Sequence, residues 1–265
     1  MKKRNFIAGR QFNYIFSALA IVVMWAIWLI AYYVVANDYV IPSFTDTMRR
    51  LRELLIEGFF WRSFGMTVLR ATEGWLLAFF CAVAGVALGA LSKKLRFFIS
   101  PFVAVLRTVP TLAVTLMLLL WFSPYNVPVI VTFLMLFPVS YAQLFSAYRG
   151  IDPQLLEMAR VYRLSRTDRI FRIVIPQMAP ALFSQAGPNL SLAIKVAVSA
   201  EVLARTYVAL GGMLQDASSY LEVARMFALT LVVLITGGIL EFALGYLTRI
   251  TDRWTRGRQG KEARQ

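Results

Sequence analysis

From Thr108 to Tyr148 the chain carries no charged side chain. A soluble domain has little use for so long an uncharged run. A bilayer does, because crossing its hydrocarbon takes about 20 apolar residues as helix, and two such helices fit here back to back. The segment SPYNVP at 123–128 divides them, its two prolines and Asn126 marking a tight hairpin. Composition agrees: 59% of the 265 residues are hydrophobic and 14% aromatic, more than a soluble core needs.

Six segments have the length and polarity of spans: roughly 14–36, 68–92, 103–122, 128–147, 181–203 and 226–248. An even number puts both termini on one side. Nineteen Lys and Arg fall in 1–12, 92–97, 148–180 and the stretch from 249 onward, against five in the remaining connections. Positive loops stay cytoplasmic, so both termini are expected inside. The division that follows is a cytoplasmic tail 1–13, one all-α membrane domain 14–250 with a cytoplasmic loop 148–180, and a basic tail 251–265. The first span has no small-residue cleavage site and reads as retained.

The chain contains no histidine and one cysteine, Cys81, inside an apolar run. That excludes a histidine-based triad and a disulfide framework and leaves no material for a zinc site. The net charge of +14 lies between apolar runs and not along one soluble face, so membrane topology accounts for it and nucleic acid is not an expected partner. In the first outer connection Ser43 and Asp46 form a helix-start signature, followed by Met48, Leu51, Leu54 and Leu55 on one face. An amphipathic helix lying among the headgroups is the first reading. Cys81, Gly85 and Gly89 stack small side chains four apart, expected to pack inside the subunit.

The polar exception is EMARVYRLSRTDRIFRIVIP, 157–176. Asp152 followed by Pro153 favours a helix start, giving a short helix to about Tyr162. Ser165 with Asp168 three residues on starts a second, expected to run to about Ile175 before Pro176. Two short helices thus meet at a bend.

Glu157 and Ala159, then Arg163, then Ile173, Ile175 and Pro176 resemble the pattern EAA, three residues, G, nine residues, I, one residue, LP of permease subunits of bacterial ATP-binding-cassette importers. Isoleucine stands for leucine at 175 and Met158 for the middle alanine. IPS at 41, LSKKLRFFISPF before VLRTVPTLA, YRGIDPQLLEMAR, SAEVLA and GGML are similar to the nitrate, sulfonate and taurine class of such permeases, of MetI-like type I fold. The resemblance covers about Ile41 to Trp254.

It implies a multi-pass permease of the bacterial inner membrane. Its partners would be a second, identical permease, two ATPase subunits inside and a solute-binding protein outside. The elbow would be the coupling helix, with Glu157, Ala159, Arg160, Arg163, Leu164, Ser165, Arg166, Asp168 and Arg169 meeting the ATPase. No stretch matches GxxxxGK[ST], so ATP and magnesium belong to that partner and this chain needs no cofactor and hydrolyses nothing. Arg163 stands where the family has glycine, and a positive backbone angle there costs roughly 1 kcal/mol or more.

Charges inside spans read as functional or paired. Lys195 is either an attractor for an anionic solute or a structural lysine paired on another span. Asn189, Ser191, Lys195, Ser199 and Glu201 are the candidate substrate path, with Gly187 and Pro188 interrupting span five as a broken helix or a simple kink. For Glu201, near the outer end, an interfacial role comes before cargo contact. Arg107 and Glu241 are expected to form an ion pair, or an inner gate. A self-sufficient secondary carrier or channel is the rival class. It would need its own coupling-ion site, and paired acidic residues at mid-membrane are lacking.

Overall fold

The computed structural model describes the backbone of residues 2–262, and the side chains of Phe16 and residues 19–246 apart from Arg166. The described chain is helical: α1 (Lys2–Val35), α2 (Phe44–Ile56), α3 (Gly58–Leu91), α4 (Lys93–Thr108), α5 (Thr111–Leu118), α6 (Val127–Arg149), α7 (Pro153–Val161), α8 (Arg166–Arg169), a π-helical turn (Ile170–Val174), α9 (Ile175–Ala204), α10 (Leu210–Ser219) and α11 (Val223–Glu262). Helices α3, α6 and the 223–246 part of α11 are long and apolar enough to cross a membrane, and the bent α4–α5 pair makes a fourth by length and composition.

Small residues decide how closely the central helices approach. Without a water-driven force between spans, packing rests on van der Waals contact between backbones brought near each other. Gly74 brings α3 onto α6: a β-carbon there would lie 2.6 Å from Thr132 Cβ and 2.8 Å from the Val129 carbonyl of α6. Ala78, Ala82 and Gly85 continue the stripe, buried against α6. Gly187 plays the same part between α9 and α11, where a β-carbon would meet the Glu241 backbone at 3.0 Å. Of the expected small-residue face, Gly85 meets Tyr141 and Gly89 meets Arg96, while Cys81 is exposed.

The third span differs from expectation. It is not one helix over 103–122 but α4 and α5 joined at 96°. Pro110 disfavours helix at the residue before it, and Val109 is extended (φ −73°, ψ 126°), so the helix stops there. Conversely, Pro176 does not end a helix and Gly187–Pro188 does not break one: α9 runs through Pro180 and Pro188 without interruption. Before it the Ile175 amide reaches back five residues to the Ile170 carbonyl, so the chain passes from the elbow into α9 through a π turn. Pro176 then falls in the first turn of α9, where a missing amide costs little.

Helix α2 is capped as expected, the Ser43 hydroxyl accepting from the Asp46 amide at 3.0 Å and donating to its carboxylate at 2.7 Å. It does not float, however. Leu54 is 2% exposed and joins the central core with Phe60, Leu210 and Leu229, while Leu55 faces outward.

Candidate functional site

The elbow is built much as its residues dictate. The Asp152 side chain accepts from the Gln154 amide at 2.9 Å and Pro153 takes the first position of α7. At the other end the Leu164 amide bonds the Ala159 carbonyl at 3.0 Å and the Arg163 amide bonds that of Arg160 at 3.1 Å. This pair of bonds is a Schellman closure, which requires a left-handed residue between the helices. Arg163 supplies it with φ 49°, the conformation that the family's glycine would take without strain. Ser165 then accepts from the Asp168 amide at 3.0 Å and donates to its carboxylate at 2.6 Å, and Asp168 also pairs with Arg172 at 3.1 Å.

Two faces of the elbow do different work. Ala159 and Ile173 are buried in a cluster with Tyr141 and Leu144 of α6 and Ala82 and Val86 of α3, with Leu164 packed against it. Glu157, Arg160, Arg163, Ser165 and Arg169 are exposed, and the side chain of Arg166 lies outside the described residues. At the tip, Val161 is 79% and Tyr162 74% exposed, with Met158 beside them. Sequence reasoning picked out the arginines and missed this apolar tip, although two bulky side chains just before a turn were the signal for it.

Sequence reasoning also missed Arg70, the charge that anchors the opposite end of the bundle. On α3, Arg70 is 1% exposed and donates through Nη1 to Glu201 Oε1 at 2.9 Å and to the Val208 carbonyl at 3.0 Å. Thr67 Oγ1 donates to Glu201 Oε2 at 2.8 Å and accepts from the Leu210 amide at 2.9 Å. The Gly211 amide adds a bond to Oε2 at 3.2 Å. Glu201 thus neutralises the arginine and serves as an anion at the start of α10, where unpaired amides favour one. A β-carbon on Gly211 would collide with Glu201 Cβ, and one on Gly212 with the Thr206 carbonyl, which is the physical content of GGML. Tyr125 of the 123–126 turn lies over the guanidinium at 4.1 Å, and Thr206 Oγ1 donates to the Pro124 carbonyl at 2.9 Å. Glu201 is thus wholly buried in a clamp joining α3, α9, α10 and the hairpin.

The remaining path candidates separate. Asn189 exchanges amide bonds with Gln143 of α6 (2.7 and 3.1 Å), and Gln143 also donates to Gln185 at 3.3 Å. This network faces a cavity of about 880 Å³ bounded by α3, α6, α9 and the elbow. Ser191 is buried against Gly237 of α11, where a β-carbon would lie 2.8 Å from its hydroxyl. Lys195 and Ser199 share an exposed stripe of α9 with Pro188 and Leu192, and the Ser199 hydroxyl donates to the Lys195 carbonyl at 2.9 Å. No ion pair involves Lys195 among the described residues. Nor does Arg107 pair with Glu241: its Nη2 donates to the Pro138 carbonyl at 3.3 Å. The reason is layering, since α4 leans on α6 while α11 leans on α9.

The family of binding-protein-dependent transport system inner membrane components matches residues 81–256. A putative aliphatic sulfonates transport permease protein, SsuC, of Bacillus subtilis (strain 168) is 27% identical over 257 residues, covering 95% of this chain and 91% of that protein. The taurine transport system permease protein TauC of Escherichia coli (strain K12) is 27% identical over 186 residues, 68% of this chain and 66% of that protein. In fold, the chain is similar to a subunit in the crystal structure of an amino acid ABC transporter, with TM-score 0.61 at 15% identity over 78% of this chain and 96% of that one. With more than half of its residues matched, the chain belongs to the family of inner membrane components of binding-protein-dependent transport systems, as the permease subunit of an ATP-binding-cassette importer.

Proposed function

We propose that this permease crosses the inner membrane six times with both termini in the cytoplasm, and that it works as one of two identical copies. The four spans legible by length and apolarity would be completed by α1, apolar over Leu19–Val35, and by α9, which carries Lys195 and Glu201. The charge distribution supports the orientation. Residues 1–13 and 251–265 are then cytoplasmic tails, of which 1 and 263–265 lie outside the described residues, and 14–250 form the membrane domain.

On this reading the loop 148–180 faces the cytoplasm and seats its elbow in a separate ATPase, which holds ATP and magnesium; a solute-binding protein delivers cargo outside. The carrying observation is the elbow's division into an exposed apolar tip, Val161 and Tyr162, and a buried root, Ala159 and Ile173. An exposed apolar tip needs a partner's groove, and a buried root passes the partner's motion to α3 and α6. Glu157, Arg160, Arg163, Arg166 and Arg169 would ring the tip with charge that sets register more than affinity. Cargo is a small anionic solute, in keeping with relatives named for sulfonates and taurine and with the unpaired Lys195. In the copurifying complex, Arg160→Glu with Arg163→Glu is expected to release the ATPase while the permease still inserts. Retention of the full ATPase complement would refute the elbow's role.

A further inference from the structure

Two cations that belong to different helices stand at one depth. The Gln143–Asn189 amide pair fixes the register of α6 against α9, which run antiparallel because the elbow joins the end of one to the start of the other. Away from the elbow, Pro138 lies five residues beyond Gln143 and Lys195 six beyond Asn189. At a helical rise of about 1.5 Å per residue these steps are roughly 7.5 and 9 Å, so Lys195 and Pro138 are level to within about 2 Å. Pro138 is the residue whose carbonyl holds Arg107 of α4. Both cations are exposed on this chain and neither has a carboxylate within ion-pair distance among the described residues.

We propose that Arg107 and Lys195 form an oxyanion-selective belt at this depth of the translocation route, two cations from each of two copies. The inference rests on the permease reading above and deepens it by naming the groups that choose the cargo's charge. A cation at membrane depth with no acidic partner faces the bundle interior or a water-filled cavity far more often than lipid, and one carbonyl, as at Arg107, does not neutralise it. Two such groups at one level therefore share the wet route. Rings of arginine and lysine select anions in pores by the same logic. Below the belt, a cavity of about 510 Å³ between α4 and α6 continues from Arg107 to Arg149, with Ser100 and Ser146 in its wall and no carboxylate lining it. Hydroxyls and guanidinium groups there suit the oxygens of a sulfonate or phosphate leaving toward the cytoplasm.

Oxyanion cargo and an anionic lipid headgroup share this chemistry, and thiol-reactive methanethiosulfonates separate them. In the ATPase-bound complex on a Cys81→Ser background, Ser199→Cys and Ser146→Cys are each treated with the water-soluble sulfonatoethyl reagent and with its trimethylammonium counterpart. Lys195 is on the same helix turn as Ser199, so the decisive variant is Arg107→Gln, on another helix. It should lower the anionic-to-cationic rate ratio at Ser199→Cys about tenfold, the size expected of one nearby charge in a partly wet site, and Arg149→Gln should do the same at Ser146→Cys. An unchanged ratio in Arg107→Gln, or thiols that react with neither reagent because lipid covers them, overturns the belt. Copurified ATPase, scored in the same samples, reports separately on the permease reading.

Discussion

Arg163 shows how one side chain can carry a cost that its neighbours make tolerable. The Schellman bonds across it and the burial of Ala159 hold φ at 49°, where a β-carbon is disfavoured by roughly 1–2 kcal/mol. Arg163→Gly is therefore expected to stabilise the isolated permease by up to about 1 kcal/mol, the gain trimmed by glycine's larger chain entropy. A small upward shift in thermal unfolding in detergent would show it, and a fall would mean the arginine makes a contact that outweighs its strain. The position was legible because the elbow's motif demands a turn there. Arg70 was not legible, because its partner lies 131 residues away and periodicity says nothing about such distances. Glu201 was read alone for the same reason, without the arginine that it holds. Breaking a buried pair from one side leaves an uncompensated charge, at roughly 3–5 kcal/mol. Glu201→Ala should thus unfold far below wild type, whereas Arg70→Met with Glu201→Leu should recover much of the loss. Equal stability of the single and double variants would disprove the clamp.

Among the elements, apolar length was read from sequence more surely than helix continuity. Hydropathy located α3, α6 and α11, because a bilayer imposes the same requirement on each. Prolines in similar apolar surroundings behave differently: Pro110 stops α4, whereas Pro176 sits in the first turn of α9 and Pro180 and Pro188 lie within it. What separates them is where the freed backbone groups go, and that is settled by neighbouring helices and the π turn, not by the proline's own flanks. Glycines likewise need a partner to be interpreted. Gly187 looked like half of a break and is the contact between α9 and α11, while Gly74 drew no notice and sets the α3–α6 distance. Adding even one carbon at Gly74 forces Thr132 and the α6 backbone to move. Overpacking of this kind costs about 1–3 kcal/mol, so Gly74→Ala should lower the unfolding temperature, and Gly58→Ala, with open space around it, should not. If both are silent, α3 and α6 are not packed by this stripe.

At the scale of the whole molecule, the clamp and the elbow bracket the bundle of α3, α6 and α9 from its two ends. The clamp binds α3 to α9 at the hairpin end, and the elbow's root binds α7 and the π turn to α3 and α6 at the other. A body braced at both ends tilts as a unit, so on the proposed reading a push on the elbow would become a change at the depth of Lys195 instead of a local dent. The separation of tip from root makes this testable, because the proposed docking and transmission would belong to different side chains. Ala159 is 2% exposed and touches the bundle, not the tip. Ala159→Leu inserts three carbons between elbow and bundle while leaving Val161, Tyr162 and the exposed arginines in place. The variant complex should keep its ATPase and hydrolyse ATP in proteoliposomes, yet move less solute per ATP, by about tenfold where the wedge frees the elbow. Loss of the ATPase would assign Ala159 to docking, and full coupling would show that force enters the spans by another route.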